Sequence, residues 1–96
     1  MNFYKGIAEF MGTYIFLLVI IITGNAVAIG ATLSAMIYLF GGISGGNFNP
    51  AVTIMLTLAK KQPVSELVPY VIFQVLGGIS SLYTYKLLKS NNLLAN

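Results

Sequence analysis

Residues 43 to 53 read Ile43-Ser44-Gly45-Gly46-Asn47-Phe48-Asn49-Pro50-Ala51-Val52-Thr53. Two glycines precede an Asn-Pro step, and an apolar run follows that stops at Lys60-Lys61. Asparagine is a favoured helix N-cap, and proline is well tolerated at the first helical position. The stretch therefore predicts Asn49 as a cap, Pro50 as the first helical residue and Ala51 to Ala59 as the rest. A helix of about ten residues is ~15 Å long. That is half of a ~30 Å hydrocarbon core. A half-membrane helix entered through a glycine-rich loop is a re-entrant segment. Such backbone survives at membrane depth only when buried in protein or lining a wet cavity. The remaining residues are expected to surround it.

Composition places the whole chain in a bilayer. Of 96 residues, 57% are hydrophobic and 7% are charged, whereas a soluble domain carries about 25% charged residues. The length accommodates three crossings and no separate soluble domain. From Phe10 to Ile43 there is no formal charge. As one helix this run would extend ~51 Å, too long for one crossing. Thr23-Gly24-Asn25 is the natural break, because Gly and Asn tolerate the left-handed conformation that ends helices. The expected elements are a first crossing at about 4–22, a second at about 26–40 ended by Gly41-Gly42, the re-entrant loop and half helix at about 41–59, and a third crossing at about 66–88. Lys60-Lys61-Gln62-Pro63 is a polar turn before the third crossing. Ser65 is its expected N-cap, Glu66 lies in its first turn, and Pro69 falls near its fourth position. The fold class is thus an all-α membrane protein with three transmembrane helices and one half helix.

Small residues recur at four-residue spacing as Ala8/Gly12, Gly30/Ser34 and Gly77/Ser81, a pattern that lets membrane helices approach closely. Two ionisable or amide side chains fall inside the crossings, Glu9 and Gln74. Such groups face the protein interior and need partners. Glu9 either holds a structural position there or lies at headgroup level and snorkels. Gln74 is either a structural hydrogen-bonding residue or a pore-lining one.

There is no Cys and no His, which leaves no disulfide framework, no thiol chemistry and no imidazole ligand or proton shuttle. With only two separated carboxylates there is no nucleophile–base pair and no metal cluster. No enzyme, cofactor or metal is expected. The net charge of +3 argues for lipid headgroup contact and against nucleic-acid binding. No small-residue cleavage site follows a short apolar core, so no cleaved leader is expected.

Ser44 to Thr53 resembles the first signature of the major intrinsic proteins, the aquaporin and aquaglyceroporin family. Ala8-Glu9-Phe10-Met11-Gly12-Thr13 is similar to that family's first-helix pattern, and Gln74-Val75-Leu76-Gly77 to its third-helix pattern. The resemblance implies half of an inverted-repeat bundle, since the family has two such repeats and these 96 residues hold one. It implies that Asn49, Pro50 and Ala51 form the pore motif. It further implies that the carbonyls of Gly45, Gly46, Asn47 and Phe48 line the pore, and that Glu9 accepts hydrogen bonds from the loop backbone. Ile29, twenty positions before Asn49, falls where the family has a selectivity residue; otherwise it is ordinary core or lipid-facing Ile. Asn47 and Gly42 stand where the family often has His, and Thr23-Gly24-Asn25 is shorter than the family's first connection. The function implied is passive passage of water or a small neutral solute such as glycerol, after pairing with a second half. That half is either a further copy, possibly antiparallel, or a separate chain. The alternative is a non-conducting membrane interaction protein or a relic fragment. The resemblance puts the N-terminus on the cytoplasmic side.

Overall fold

The computed structural model describes residues 1–95. These form four α-helices and a short 3-10 turn, with no strand among the described residues: α1 Phe3–Thr23, α2 Ala26–Ser44, α3 Pro50–Leu58, the turn Val64–Glu66, and α4 Leu67–Ser90. Helices α1 and α2, and the span from Val64 to Ser90, are long and apolar enough to cross a membrane.

Local chemistry sets the first boundaries. Asn2 caps α1 by accepting from the Tyr4 N–H at 2.8 Å. Gly24 closes it in the left-handed region, φ 55°, with its N–H on the Ile20 carbonyl. Asn25 then caps α2 through the Ala28 N–H at 2.9 Å. The second crossing does not end at Gly41-Gly42. Both glycines stay helical, and α2 runs on to Ser44. Tertiary bonds hold this last turn in place. The Ser44 hydroxyl donates to Glu9, and the Ser44 carbonyl accepts from the Tyr70 hydroxyl at 2.6 Å. The left-handed residues that actually terminate α2 are Gly45 and Gly46, φ 89° and 65°. The connecting loop is therefore Gly45 to Asn49, shorter than expected.

Ser65 does not cap α4. It lies exposed inside the 3-10 turn, and no side chain caps the turn or the helix. Glu66 is drawn instead to Lys5, 2.6 Å away, which ties the start of α4 to the start of α1. Pro69 is the third residue of α4, where its missing N–H leaves no intrahelical bond unmade.

Helices α1 and α4 lie side by side in the same direction, joined at one end by Lys5–Glu66 and further along by Tyr14–Thr84 at 2.8 Å. Helix α2 returns antiparallel along α1. Three crossings thus put the two ends of the described chain on opposite sides. The packing inverts that of a soluble protein. Glu9, Thr13, Thr53, Gln74 and Ser81 are nearly inaccessible, while Val27, Tyr38, Leu39 and Leu58 face outward. A lipid-facing surface is apolar, and polar groups retreat to partners inside.

At Gly77, α4 packs directly against the backbone of α1. A Cβ there would lie 2.8 Å from the Phe10 carbonyl oxygen and 3.1 Å from the Tyr14 nitrogen. Backbone cannot swing aside as a side-chain end can. Ala8, Gly12 and Ser81 are likewise buried, whereas Gly30 and Ser34 are exposed. Only two of the three small-residue pairs therefore serve packing within this chain. Gly77→Ala is expected to cost about 1–3 kcal/mol through overpacking. Gly30→Ala, with nothing within 4 Å of the new atom, is expected to be neutral. Reversible unfolding in mixed micelles measures both; equal stability of the two variants would contradict this packing.

Candidate functional site

The site forms where the loop 45–49 turns back into the protein. Glu9, two turns into α1, is fully buried. Four donors converge on its carboxylate. Oε2 accepts from the Ser44 hydroxyl at 2.7 Å and the Asn47 N–H at 3.0 Å. Oε1 accepts from the Phe48 N–H at 2.8 Å and the Gln74 side-chain amide at 2.9 Å. One side chain thereby satisfies two loop N–H groups that no regular ladder could reach.

A second hub is Thr53, one turn into α3 and also fully buried. Its hydroxyl oxygen accepts from Gln74 at 2.8 Å and from Asn47 Nδ2 at 2.9 Å. Asn47 Nδ2 also donates to Gln62 Oε1 at 2.8 Å, tying the loop to the turn after α3. Sequence reasoning singled out Glu9, Asn47 and Gln74 but missed Thr53, Ser44, Tyr70 and Gln62. Thr53 had a readable signal, as a polar residue four positions after Asn49 in an apolar half helix.

Phe48 sits in the left-handed region, φ 56°, a conformation that costs a non-glycine residue about 1–3 kcal/mol. Burial offsets it. Its ring is 1% exposed, lies edge-on to Phe40, and fills the space above Gly12, where a Cβ would come within 2.0 Å of the ring.

Asn49 caps α3 with Oδ1 on the Ala51 N–H at 2.8 Å. That bond fixes the amide orientation, and Nδ2 makes no hydrogen bond among the described residues. Asn49 and Pro50 open on a recess of about 320 Å³ walled by Thr13, Phe16, Leu17, Val75 and Gly78. Thr13 is the middle residue of α1 and Gly78 lies at the middle of α4, so the recess lies level with the middle of both long helices. Among the described residues, no donor reaches the carbonyls of Gly45, Gly46, Asn47 or Phe48. Ala51, the third residue of the motif, is exposed at the start of α3. Ile29 is half-buried near the start of α2 and is not part of the recess wall.

Chemically, the site offers a set of fixed dipoles. The N-terminal end of α3 carries partial positive charge, the Asn49 amide adds donors, and the loop carbonyls supply acceptors.

The sequence model of the family described as Major intrinsic protein matches residues 1–95. Aquaporin Z of Brucella melitensis biotype 1 is 52% identical over 58 residues, covering 60% of this chain and 25% of that protein. A probable PIP-type aquaporin, pTOM75, of Solanum lycopersicum is 41% identical, covering 81% of this chain and 34% of that protein. Aquaporin PIP1-3 of Arabidopsis thaliana is 38% identical with the same coverage. The chain spans a quarter to a third of the length of these curated relatives.

The Glu9 network predicts a graded response. Glu9→Gln keeps one acceptor oxygen but turns an amide toward a loop N–H, leaving one backbone donor unpaired. Its expected cost is about 1–3 kcal/mol. Glu9→Leu strips all four donors and is expected to cost several-fold more. Thermal unfolding in detergent ranks the variants, and equal losses for Gln and Leu would contradict the network.

Proposed function

The chain belongs to the major intrinsic protein family, and on that premise we propose that it is one half of a transmembrane channel passing water or a small neutral solute such as glycerol. The observation that carries this reading is the Asn49 amide. Its oxygen is committed to the cap, and its Nδ2 is left free beside the recess.

A solute leaving water needs substitute hydrogen bonds. Asn49 offers the donor, and the carbonyls of Gly45, Gly46, Asn47 and Phe48 offer a ladder of acceptors, as narrow pores do when they replace a hydration shell. The positive end of α3 disfavours cations and protons at the same point. Ile29 is assigned to the constriction beyond the midplane. No step requires bond making or breaking.

Helix α3 has nine residues, about 13.5 Å, and fills only the leaflet on the Lys5 side. The recess continues between the second halves of α1 and α4. An upright copy leaves that leaflet empty, whereas an inverted half supplies a half helix to it. The second half is therefore inverted, either a further copy inserted upside down or a separate chain of the same architecture. Lys5, Lys60 and Lys61 lie at one end and Lys86 and Lys89 at the other. Three lysines against two is a weak positive-inside bias, and it is the family resemblance that supports a cytoplasmic N-terminus for the upright copy.

Proteoliposomes holding this chain with an inverted family half are expected to swell in an osmotic gradient of water or glycerol. Asn49→Leu, of similar bulk, is expected to reduce swelling to the lipid background. Undiminished swelling would remove α3 from the conduction path. Reporters fused after residue 96 separate the two pairings: activity on both sides of the membrane marks an upside-down copy, and activity on one side marks a separate chain.

A further inference from the structure

The turn after α3 carries the chain's one pair of adjacent lysines, Lys60 and Lys61. Asn49 stands level with the middle of the long helices, and the nine residues of α3 carry the chain about 13.5 Å from there. That is close to half of a ~30 Å hydrocarbon core. The turn also lies next to the Val64–Glu66 segment, whose Glu66 pairs with Lys5 at the ends of the two spans. Both observations place the lysine pair at headgroup depth.

The backbone there is shaped for a different residue. Lys60 N–H donates to the Thr57 carbonyl at 3.1 Å and Lys61 N–H to the Leu56 carbonyl at 2.9 Å, closing α3. This closure places its first residue in the left-handed region, where glycine is the usual occupant. Here that residue is Lys60, at φ 60°. A side chain in that conformation costs stability, so backbone geometry does not account for a lysine at this position.

Neither lysine has a side-chain carboxylate left for it within the chain. The two acidic residues are Glu9 and Glu66. Glu9 is buried and takes four donors, and Glu66 is taken by Lys5. Lys60 and Lys61 wall a groove of about 690 Å³, with Leu58 and Val64 among its other walls. Those two apolar side chains are 78% and 74% exposed. The groove thus offers two unpaired cations beside bare apolar surface at the edge of the membrane.

We propose that this groove binds an anionic phospholipid, with its phosphate at Lys60 and Lys61 and the start of an acyl chain against Leu58 and Val64. Charge complementarity selects the acidic headgroup. A free phosphate would answer the charge but leave the apolar walls bare, and a neutral lipid would do the reverse. The proposal goes beyond the channel reading and does not rest on it, because lipid binding is measured without conduction or a second half.

The test titrates the full chain in neutral detergent with phosphatidylglycerol and with phosphatidylcholine, counting bound lipid by native mass spectrometry. Phosphatidylglycerol is expected to bind more tightly. A basic residue near an anionic headgroup contributes about fivefold, so the double variant Lys60→Gly, Lys61→Gln is expected to lose about 25-fold of that preference. Lys60→Gly also relaxes the left-handed position and is expected to raise the unfolding temperature, so weaker binding by this variant does not reflect unfolding. Lys86→Gln with Lys89→Gln, at the far end, is expected to leave the preference in place. An unchanged preference in the Lys60/Lys61 variant would overturn the proposal. So would an equal loss in the Lys86/Lys89 variant, which would make net charge the cause. Displacement of the lipid by inorganic phosphate at equal concentration would overturn the lipid assignment as well.

Discussion

The whole arrangement depends on two backbone N–H groups that have nowhere else to go. A chain that turns back at membrane depth leaves the Asn47 and Phe48 amides outside any helix, in a medium with no bulk water to satisfy them. Glu9 receives both. A buried carboxylate is costly by itself, but here Ser44 and Gln74 complete its coordination, so the two costs cancel against each other. Remove either party and the other becomes the problem. This mutual need explains why a charged residue stands inside the first crossing of a chain with so few charges.

From that bond the rest follows outward. Gln74 can reach Glu9 and Thr53 together only if α4 comes close to α1, and Gly77 permits that approach. Gly77 sits against backbone, not against a movable side chain. Gly12 leaves room for the Phe48 ring, whose burial supports the strained loop. The α1–α4 contact and the loop are one structural device: close helix packing creates the dry pocket, and the carboxylate makes the pocket tolerable for polar backbone. Every loop N–H that Glu9 takes leaves the carbonyl side of the same peptides free. The proposed conduction path uses those unclaimed oxygens.

The loop is braced on more than one side. Glu9 holds it from α1, Thr53 from α3 and Gln62 from the turn that follows α3, while Gln74 of α4 ties Glu9 and Thr53 together. The ion pair Lys5–Glu66 fixes the ends of α1 and α4 near that turn. The polar interior is therefore concentrated at the Lys5 end, while the far halves of the helices present apolar walls around the recess. The proposed half-channel reading rests on this asymmetry: the Lys5 end is filled and hydrogen-bonded, and the other end is walled but unfilled.

Much of this was legible in the residues. The charge-poor composition, the break at Gly24, the capping pair Asn49-Pro50 and the short run to Lys60 are local or additive properties, and each is decided by a few adjacent side chains. They determined a membrane protein with three crossings and a half helix, and the resemblance of three short motifs pointed to the family. What the residues alone did not decide was where α2 ends, since glycine ends a helix only if nothing continues it. Ser44, held by Glu9 from 35 positions away and by Tyr70 from 26, carries α2 past Gly41-Gly42. Nor could they show that Ser65 yields its expected cap to a 3-10 turn oriented by Lys5–Glu66, or that Thr53 and Gln62 join the site. Those outcomes depend on donors and acceptors that are distant in the chain and meet only when α1 and α4 pack. Local propensity reports what each segment can do; the tertiary structure decides which polar groups find each other in a medium that offers them no alternative.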